Sequence, residues 1–274
     1  MPLTPPYPPL SDFLAAIGEA GRRLSEISAS EGAAGNISAY FGWDVPVAEI
    51  FPQTEPFELT KAAPELRGGT IIVTGSGRRL REVFQAPEAN LAAVRISDDG
   101  SSAVMYTSPK RLFERVTSEF NSHLAVHCDQ VGRERTAFHT LVHAQPLHLT
   151  YLSHITRYQD DAYLNQHILR WEPEGICQLP AGVGFLPFAV PGSDELMRAN
   201  IAKLRSHRIV LWAKHGVMAR SDMSVKKACD LIEYAETGAQ YEYLNLCNHG
   251  LAEGLSREEI LRVCAAFGVE QSIF

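Results

Sequence analysis

No apolar run in this 274-residue sequence approaches the length of a membrane span. The opening stretch, Met-Pro-Leu-Thr-Pro-Pro-Tyr-Pro-Pro, has neither the basic start nor the apolar core of a signal peptide. Excess positive charge is also missing. Lys and Arg number 25 against 32 Asp and Glu, a net charge of −7. Such a surface argues against nucleic acid or an anionic membrane as the main partner, and leaves room for a small anion in a local pocket. The five cysteines, Cys128, Cys177, Cys229, Cys247 and Cys264, are scattered and form no C-x-x-C pair. That fits reduced thiols, not a disulfide framework or a zinc ribbon. The expected setting is cytoplasmic. There is no G-x-S-x-G elbow, no kinase signature and no P-loop, and Gly75-x-Gly77-x-x-Leu80 misses the dinucleotide fingerprint at its third position.

What is present is an ordinary globular mixture, 45% hydrophobic and 21% charged. Residues 1–9 read as a Pro-rich extended arm. Phe13, Leu14, Ile17, Ala20, Leu24 and Ile27 then recur at helical spacing from a start at Ser11. Thr70 to Thr74 is an apolar strand that stops at Gly75-Ser76-Gly77. Ala92–Ile96 and Ala103–Tyr106 read as a hairpin around Asp98-Asp99-Gly100. A helix opens at Thr117-Ser118-Glu119, with Ser118 as the expected N-cap. Gly175 to Leu179 reads as a strand and Ser193 to Ser206 as a capped helix. His207 to Trp212 is a strand that delivers Lys214-His215-Gly216-Val217. Ser224 to about Cys247 is a long amphipathic helix, and Ser256-Arg257-Glu258-Glu259 is a capping-box pattern ahead of a last helix. No internal repeat and no linker interrupts 10–270. Interleaved helices and strands, without regular crossovers, predict one α/β domain over 1–274: a three-layer α/β/α arrangement whose central sheet is mostly antiparallel or mixed.

The stretch Ala137 to Pro146 is the centre of that expectation. Its β-branched and aromatic pattern reads as a strand, with His139, Leu141 and His143 on one side and Gln145 following if the extended geometry continues. His143 and His215 each end an apolar strand, where α/β scaffolds hold chemistry. They are two candidate zinc ligands, and a catalytic zinc typically takes three. Taken alone, a strand-end histidine is more often a hydrogen-bonded core residue. Glu119 lies four residues before His123 and eight before His127, so one helix face carries all three. For His123 and His127 a capping or solvated face is favoured over a metal site. The turns Gly35-Asn36-Ile37-Ser38 and Gly75-Ser76-Gly77 offer backbone and side-chain donors suited to an anion, although either alone is a plain turn.

In order along the chain stand Gly35-Asn36-Ile37-Ser38, Ile72-Val73-Thr74-Gly75-Ser76-Gly77, Thr117-Ser118-Glu119, His143-x-Gln145 and Leu211-Trp212-x-x-His215-Gly216-Val217. This succession resembles the class II sugar-phosphate aldolases of the aldolase/adducin fold. Gly182 to Pro187, Val190 to Glu195, Ser256 to Glu259 and Phe267-Gly268-Val269 are similar to their rhamnulose-1-phosphate branch in particular. The resemblance spans nearly the whole chain. It implies a metal-dependent lyase that cleaves a ketose 1-phosphate to dihydroxyacetone phosphate and an aldehyde such as L-lactaldehyde. It further implies a homotetramer with active sites near subunit interfaces. By position, His143 and His215 become metal ligands, with Glu119 as the carboxylate that handles protons beside the metal. Glu174 matches a second acidic residue, and Asn36, Ser76, Gly77, Thr117 and Ser118 match phosphate-site positions. Breaking the C3–C4 bond leaves an enediolate, whose charge a chelated cation offsets. A carboxylate moves the protons, and neutral donors hold the phosphate still.

The sequence departs from the family pattern twice. The family has His-x-His on the central strand where this chain has His143-Ala144-Gln145, and its rhamnulose-1-phosphate branch has an Asn where this chain has Ala33. Gln145 offers an amide oxygen, a harder and weaker donor than imidazole. The resemblance makes Zn²⁺ the first expectation for the metal, and Gln145 opens Mn²⁺, Co²⁺ or Mg²⁺. His139 and His148 are poor substitutes by position. Two other readings are carried: a sister epimerase or dehydratase of the same fold, and a non-catalytic adducin-like binding protein.

Overall fold

Strand chemistry concentrates in nine short segments, which pair into one sheet in the computed structural model of residues 3–274. They are β1 (Asn36–Phe41), β2 (Gln53–Phe57), β3 (Thr70–Thr74), β4 (Leu91–Ile96), β5 (Ala103–Thr107), β6 (Phe138–Ala144), β7 (Gly184–Leu186), β8 (Ile209–Trp212) and β9 (Gly216–Ser221). Their order is β2-β5-β4-β3-β1-β6-β9-β8-β7. Every neighbouring pair is antiparallel except β7 with β8. The mixed, mostly antiparallel sheet is as expected. β6 sits in its middle, paired on one side with β1 and on the other with β9.

Among the described residues ten α-helices accompany the sheet: α1 (Leu10–Glu26), α2 (Leu80–Val83), α3 (Pro87–Asn90), α4 (Phe120–Glu134), α5 (Leu147–Leu152), α6 (Asp161–Ile168), α7 (Pro173–Gln178), α8 (Asp194–Leu204), α9 (Val225–Cys247) and α10 (Arg257–Phe267). Strand alternation decides which of them each face takes. Ile37, Ala39, Phe41, Val142, Ala144 and Leu211 look toward α1, α5, α7 and α9 and form one core. On the other face Tyr40, Ile71, Val73 and Val94 meet Phe120, Leu124 and Cys128 of α4. Leu141, Val210 and Met218 meet Val126 of α4 and Leu196 and Leu204 of α8. Three layers result.

Several local expectations give way. Gly175–Leu179 is not a strand, because Pro173 at the first helical position starts α7 across it. Glu119, not Ser118, is the residue preceding α4, and the Thr117 hydroxyl accepts from its N–H at 3.3 Å. β2 lies in what reads as irregular chain; it is a largely exposed edge strand containing Pro56 and shows no apolar alternation. By contrast, Ser193 and Ser256 cap α8 and α10 as expected, the latter through a full capping box. Val225, Ala228, Cys229, Ile232 and Ala235 of α9 are spent on the chain's own core, which leaves Tyr241 and Leu244 as its exposed apolar side chains. In the Pro-rich arm, Tyr7 stacks on Trp43 at 3.9 Å. Residues 1–2 of that arm lie outside the described residues. No described helix is long and apolar enough to cross a membrane.

Candidate metal centre

Two strand ends and one helix start converge at the middle of the sheet. His143 is the second-last residue of β6. His215 closes the tight loop from β8 to β9, in which Trp212 pairs with Gly216. Gly216, the first residue of β9, lies against the end of β6, and a Cβ there would lie 2.4 Å from the Ala144 carbonyl oxygen. Only glycine allows the approach that brings the two histidines together. The loop holds Lys214 in the left-handed region at φ 61°, a strained setting for a lysine, and the Ser153 hydroxyl accepts from its N–H at 2.7 Å. Glu119 enters from α4 on the same side of the sheet.

The ligand atoms of Glu119, His143 and His215 all lie within 4.8 Å of one another. His143 Nε2 is 3.6 Å from Glu119 Oε2. The other His143 nitrogen, Nδ1, is 2.8 Å from the Val217 carbonyl oxygen. A carbonyl only accepts, so Nδ1 carries the proton and Nε2 offers its lone pair to the centre. Trp212 stacks on the His143 ring at 4.8 Å and donates its indole N–H to Asn200 Oδ1 at 2.9 Å, which fixes both rings. His215 Nδ1 is buried without a hydrogen-bond partner among the described residues. Two imidazoles, one with an unspent ring nitrogen, and a carboxylate make a donor set that fits a divalent cation.

Electrostatics agree with that donor set. Burial alone would raise the Glu119 carboxyl. The pull of His143, the Asn36 amide, His123 and His215 outweighs it and holds the group below the ordinary value. Burial and the neighbouring His143 push His215 down, against the pull of Glu119, which favours the neutral imidazole a metal needs.

The expected phosphate positions also meet. Gly75 bridges to Val116, Ser76 N–H donates to the Arg115 carbonyl at 2.8 Å, and Thr117 N–H donates to the Thr74 carbonyl at 3.0 Å. Ser76, Gly77, Thr117 and Ser118 therefore share one edge, one residue before Glu119. Gly77 sits at φ 70° and, like Ser118, is exposed. Asn36 is different: its amide nitrogen donates to Glu119 Oε2 at 2.7 Å and its oxygen faces His123 Nε2.

Gln145 is half-buried. It lines an open cleft of about 570 Å³ together with His215, Lys214, Glu31, Tyr151 and His154. Its N–H donates to the Ala29 carbonyl at 2.8 Å, so the chain turns away from β9 there. His148 is 2.7 Å from Glu236 through Nδ1 and takes no part in the centre. Glu174 is exposed on α7, which belongs to the layer across the sheet from α4; the chain does not bring it to Glu119. The sequence shows Trp212 and Ser38 only as members of motifs and Asn200 not at all; none of the three is expected to make the contacts seen here. Their partners lie far along the chain, and only the Leu211-Trp212 motif hinted at one of them.

The profile of the family described as "Class II Aldolase and Adducin N-terminal domain" matches residues 15–243. The chain belongs to this family. A rhamnulose-1-phosphate aldolase of Escherichia coli O157:H7 (strain EC4115 / EHEC) is 30% identical over 219 residues, covering 80% of this chain and 78% of the relative. One from Shigella boydii serotype 4 (strain Sb227) is 29% identical over 221 residues, 80% of this chain and 79% of its own. In fold, the chain superimposes on a sugar-phosphate aldolase from Thermotoga maritima with a TM-score of 0.73 at 24% identity, over 87% of this chain and 97% of that one. An L-fuculose 1-phosphate aldolase gives a TM-score of 0.58 at 20% identity, over 94% of this chain and 97% of that one. Within this aldolase/adducin family the Glu119, His143 and His215 cluster is the candidate metal site of the chain.

Proposed function

We propose that this class II aldolase-family chain is a divalent-metal-dependent lyase that cleaves a ketose 1-phosphate of the rhamnulose type to dihydroxyacetone phosphate and an aldehyde such as L-lactaldehyde. The observation that carries the reading is the convergence of Glu119, His143 and His215 beside a turn rich in neutral donors. The 30% identity to rhamnulose-1-phosphate aldolases favours that sugar among ketose 1-phosphates.

In this reading Ser76, Gly77, Thr117 and Ser118 grip the phosphate and fix the sugar's position. Glu119 takes the proton from the hydroxyl at the breaking bond and returns one to the carbon left behind. His143 and His215 hold the metal, with Gln145 reaching it from the cleft as an amide donor. When bound, Zn²⁺ or a harder ion such as Mn²⁺, Co²⁺ or Mg²⁺ supplies Lewis-acid stabilisation of the charge developing on the ketose oxygens. Glu174 acts in the site of a neighbouring subunit of a homotetramer, since its own chain holds it on the other layer. The whole of 1–274 works as one domain in the cytoplasm.

Incubation with a panel of ketose 1-phosphates, each with added Zn²⁺, Co²⁺ or Mn²⁺, tests the reading. Release of dihydroxyacetone phosphate is the expected result, fastest from L-rhamnulose 1-phosphate. Recovery of an epimerised or dehydrated sugar phosphate with no carbon–carbon cleavage would replace the lyase by a sister enzyme.

A further inference from the structure

Five buried side chains lead away from Glu119 into the layer between α4 and the sheet. Asn36 Nδ2 is 2.7 Å from Glu119 Oε2, and Asn36 Oδ1 is 2.5 Å from His123 Nε2. His123 Nδ1 is 2.6 Å from Ser38 Oγ, which is 2.7 Å from His127 Nε2. His127 Nδ1 is 2.8 Å from His139 Nδ1. Ser38, His123 and His127 are wholly buried, and Asn36 and His139 nearly so. Apolar residues would fill this space at lower cost, so a polar string here asks for a reason.

The direction of every hydrogen in the string is forced. An ionised carboxylate only accepts, so Asn36 turns its NH₂ to Glu119 and its oxygen to His123. That oxygen also only accepts, so His123 carries its proton on Nε2. Burial pushes His123 and His139 down to about 3 and His127 well down, so each ring is neutral with a single N–H. His123 Nδ1 is then bare and takes the Ser38 hydroxyl proton. Ser38 Oγ accepts in turn from His127 Nε2–H. His127 Nδ1 is bare, so the last bond is donated by His139 Nδ1–H. The chain of donors closes on His139 Nε2, a lone pair with no partner among the described residues. The opposite polarity would set the Asn36 oxygen against the carboxylate, acceptor against acceptor.

We propose that Asn36, His123, Ser38, His127 and His139 form a one-way donor string that fixes the orientation of the Glu119 carboxylate at the metal centre. Asn36 and Ser38 are its positioning residues, so Asn36 serves the carboxylate instead of the phosphate. The role in turnover rests on the reading of Glu119 as the proton-handling group; the string itself does not.

¹⁵N-histidine NMR of the metal-free full chain near neutral pH reads the tautomers directly. His123 and His127 protonated on Nε2 and His139 on Nδ1 is the expected pattern. The other tautomer, or an imidazolium, at any of the three overturns the string. Ser38→Ala then cuts it two bonds from the carboxylate without touching Glu119 or a ligand. The Glu119 carboxyl ¹³C resonance is expected to move. The kcat for ketose 1-phosphate cleavage is expected to fall about tenfold with KM unchanged, and Ser38→Thr to restore it. Combined with Asn36→Ala, Ser38→Ala should add no further loss. An unmoved carboxyl resonance, an undiminished kcat in a turning-over enzyme, or additive losses would each overturn the positioning role. If Ser38→Ala does not fold, Ser38→Cys reads the same resonance. A chain that cleaves no ketose 1-phosphate sinks the proposed function, and the tautomers and the carboxyl resonance still decide the string.

Discussion

The buried histidines make the protein acid-sensitive in a way that can be worked out. In an unfolded chain an imidazole takes its proton near pH 6.5. Burial first, and then the charges of Arg220 and Arg208, hold folded His139 to about 3. Between those values the unfolded state binds more protons, so stability falls as pH falls through the window from about 6.5 to about 3. From pH 7 to pH 5 one such group removes about 2 kcal/mol. His123, also held to about 3, adds a similar loss. The perturbation that isolates the effect is His139→Leu, which deletes one titrating group and leaves its burial in place. For a chain of this size, about 2 kcal/mol corresponds to about 3 to 4 °C in the thermal midpoint. Circular-dichroism melts at pH 7 and pH 5, at one protein concentration, should show the parent losing that much more than the variant. Equal losses in parent and variant would refute the account of His139 as a buried neutral donor.

Four further outcomes follow from the site. Glu119→Gln keeps the shape of the side chain and its contact with Asn36, and should fold normally while losing at least about a hundredfold in kcat; comparable turnover at saturating metal would remove Glu119 from the mechanism. Gln145→His adds an imidazole at the cleft beside His215 and should raise Zn²⁺ affinity, read by competition with a chromogenic chelator; unchanged affinity would place Gln145 outside the metal's reach. Gly75→Ala drives a Cβ to 2.2 Å from the Phe113 ring, displacing the turn that carries Ser76 and Gly77, and should raise KM for the sugar phosphate more than it lowers kcat. Light scattering at micromolar concentration should report a tetramer, and a monomer would leave Glu174 without a site to act in.

Much of this was legible in the sequence where the signal is local. Alternation along Phe138–Ala144 put His139, Leu141 and His143 on one face, and the structure lays that face against α4. Helical spacing put Glu119, His123 and His127 in line. It could not say that Ser38 and His139, from two strands, would thread between the rings, because such partners lie 12 to 89 residues away. α7 was misread because Gly175-Ile176-Cys177-Gln178-Leu179 alternates like a strand; the start signal at Pro173 carried more weight in the fold. Asn36 reads as an anion donor in isolation, and only tertiary packing shows both ends of its amide already engaged. Tyr241 and Leu244 are the large apolar side chains that α9 leaves exposed, since helical periodicity cannot separate a side chain buried in its own core from one buried between chains.

The proposed function needs one cation, held by Glu119, His143 and His215, for cleavage of a ketose 1-phosphate. The direct measurement is the initial rate of dihydroxyacetone phosphate release from L-rhamnulose 1-phosphate, followed as metal-stripped protein is titrated with Zn²⁺ or Mn²⁺ and bound metal is counted. The account predicts a rate that rises with bound metal and levels at one ion per chain, and no rise in His143→Ala. Full-rate cleavage by the stripped protein, or one bound ion per chain with no cleavage of any ketose 1-phosphate, would contradict it.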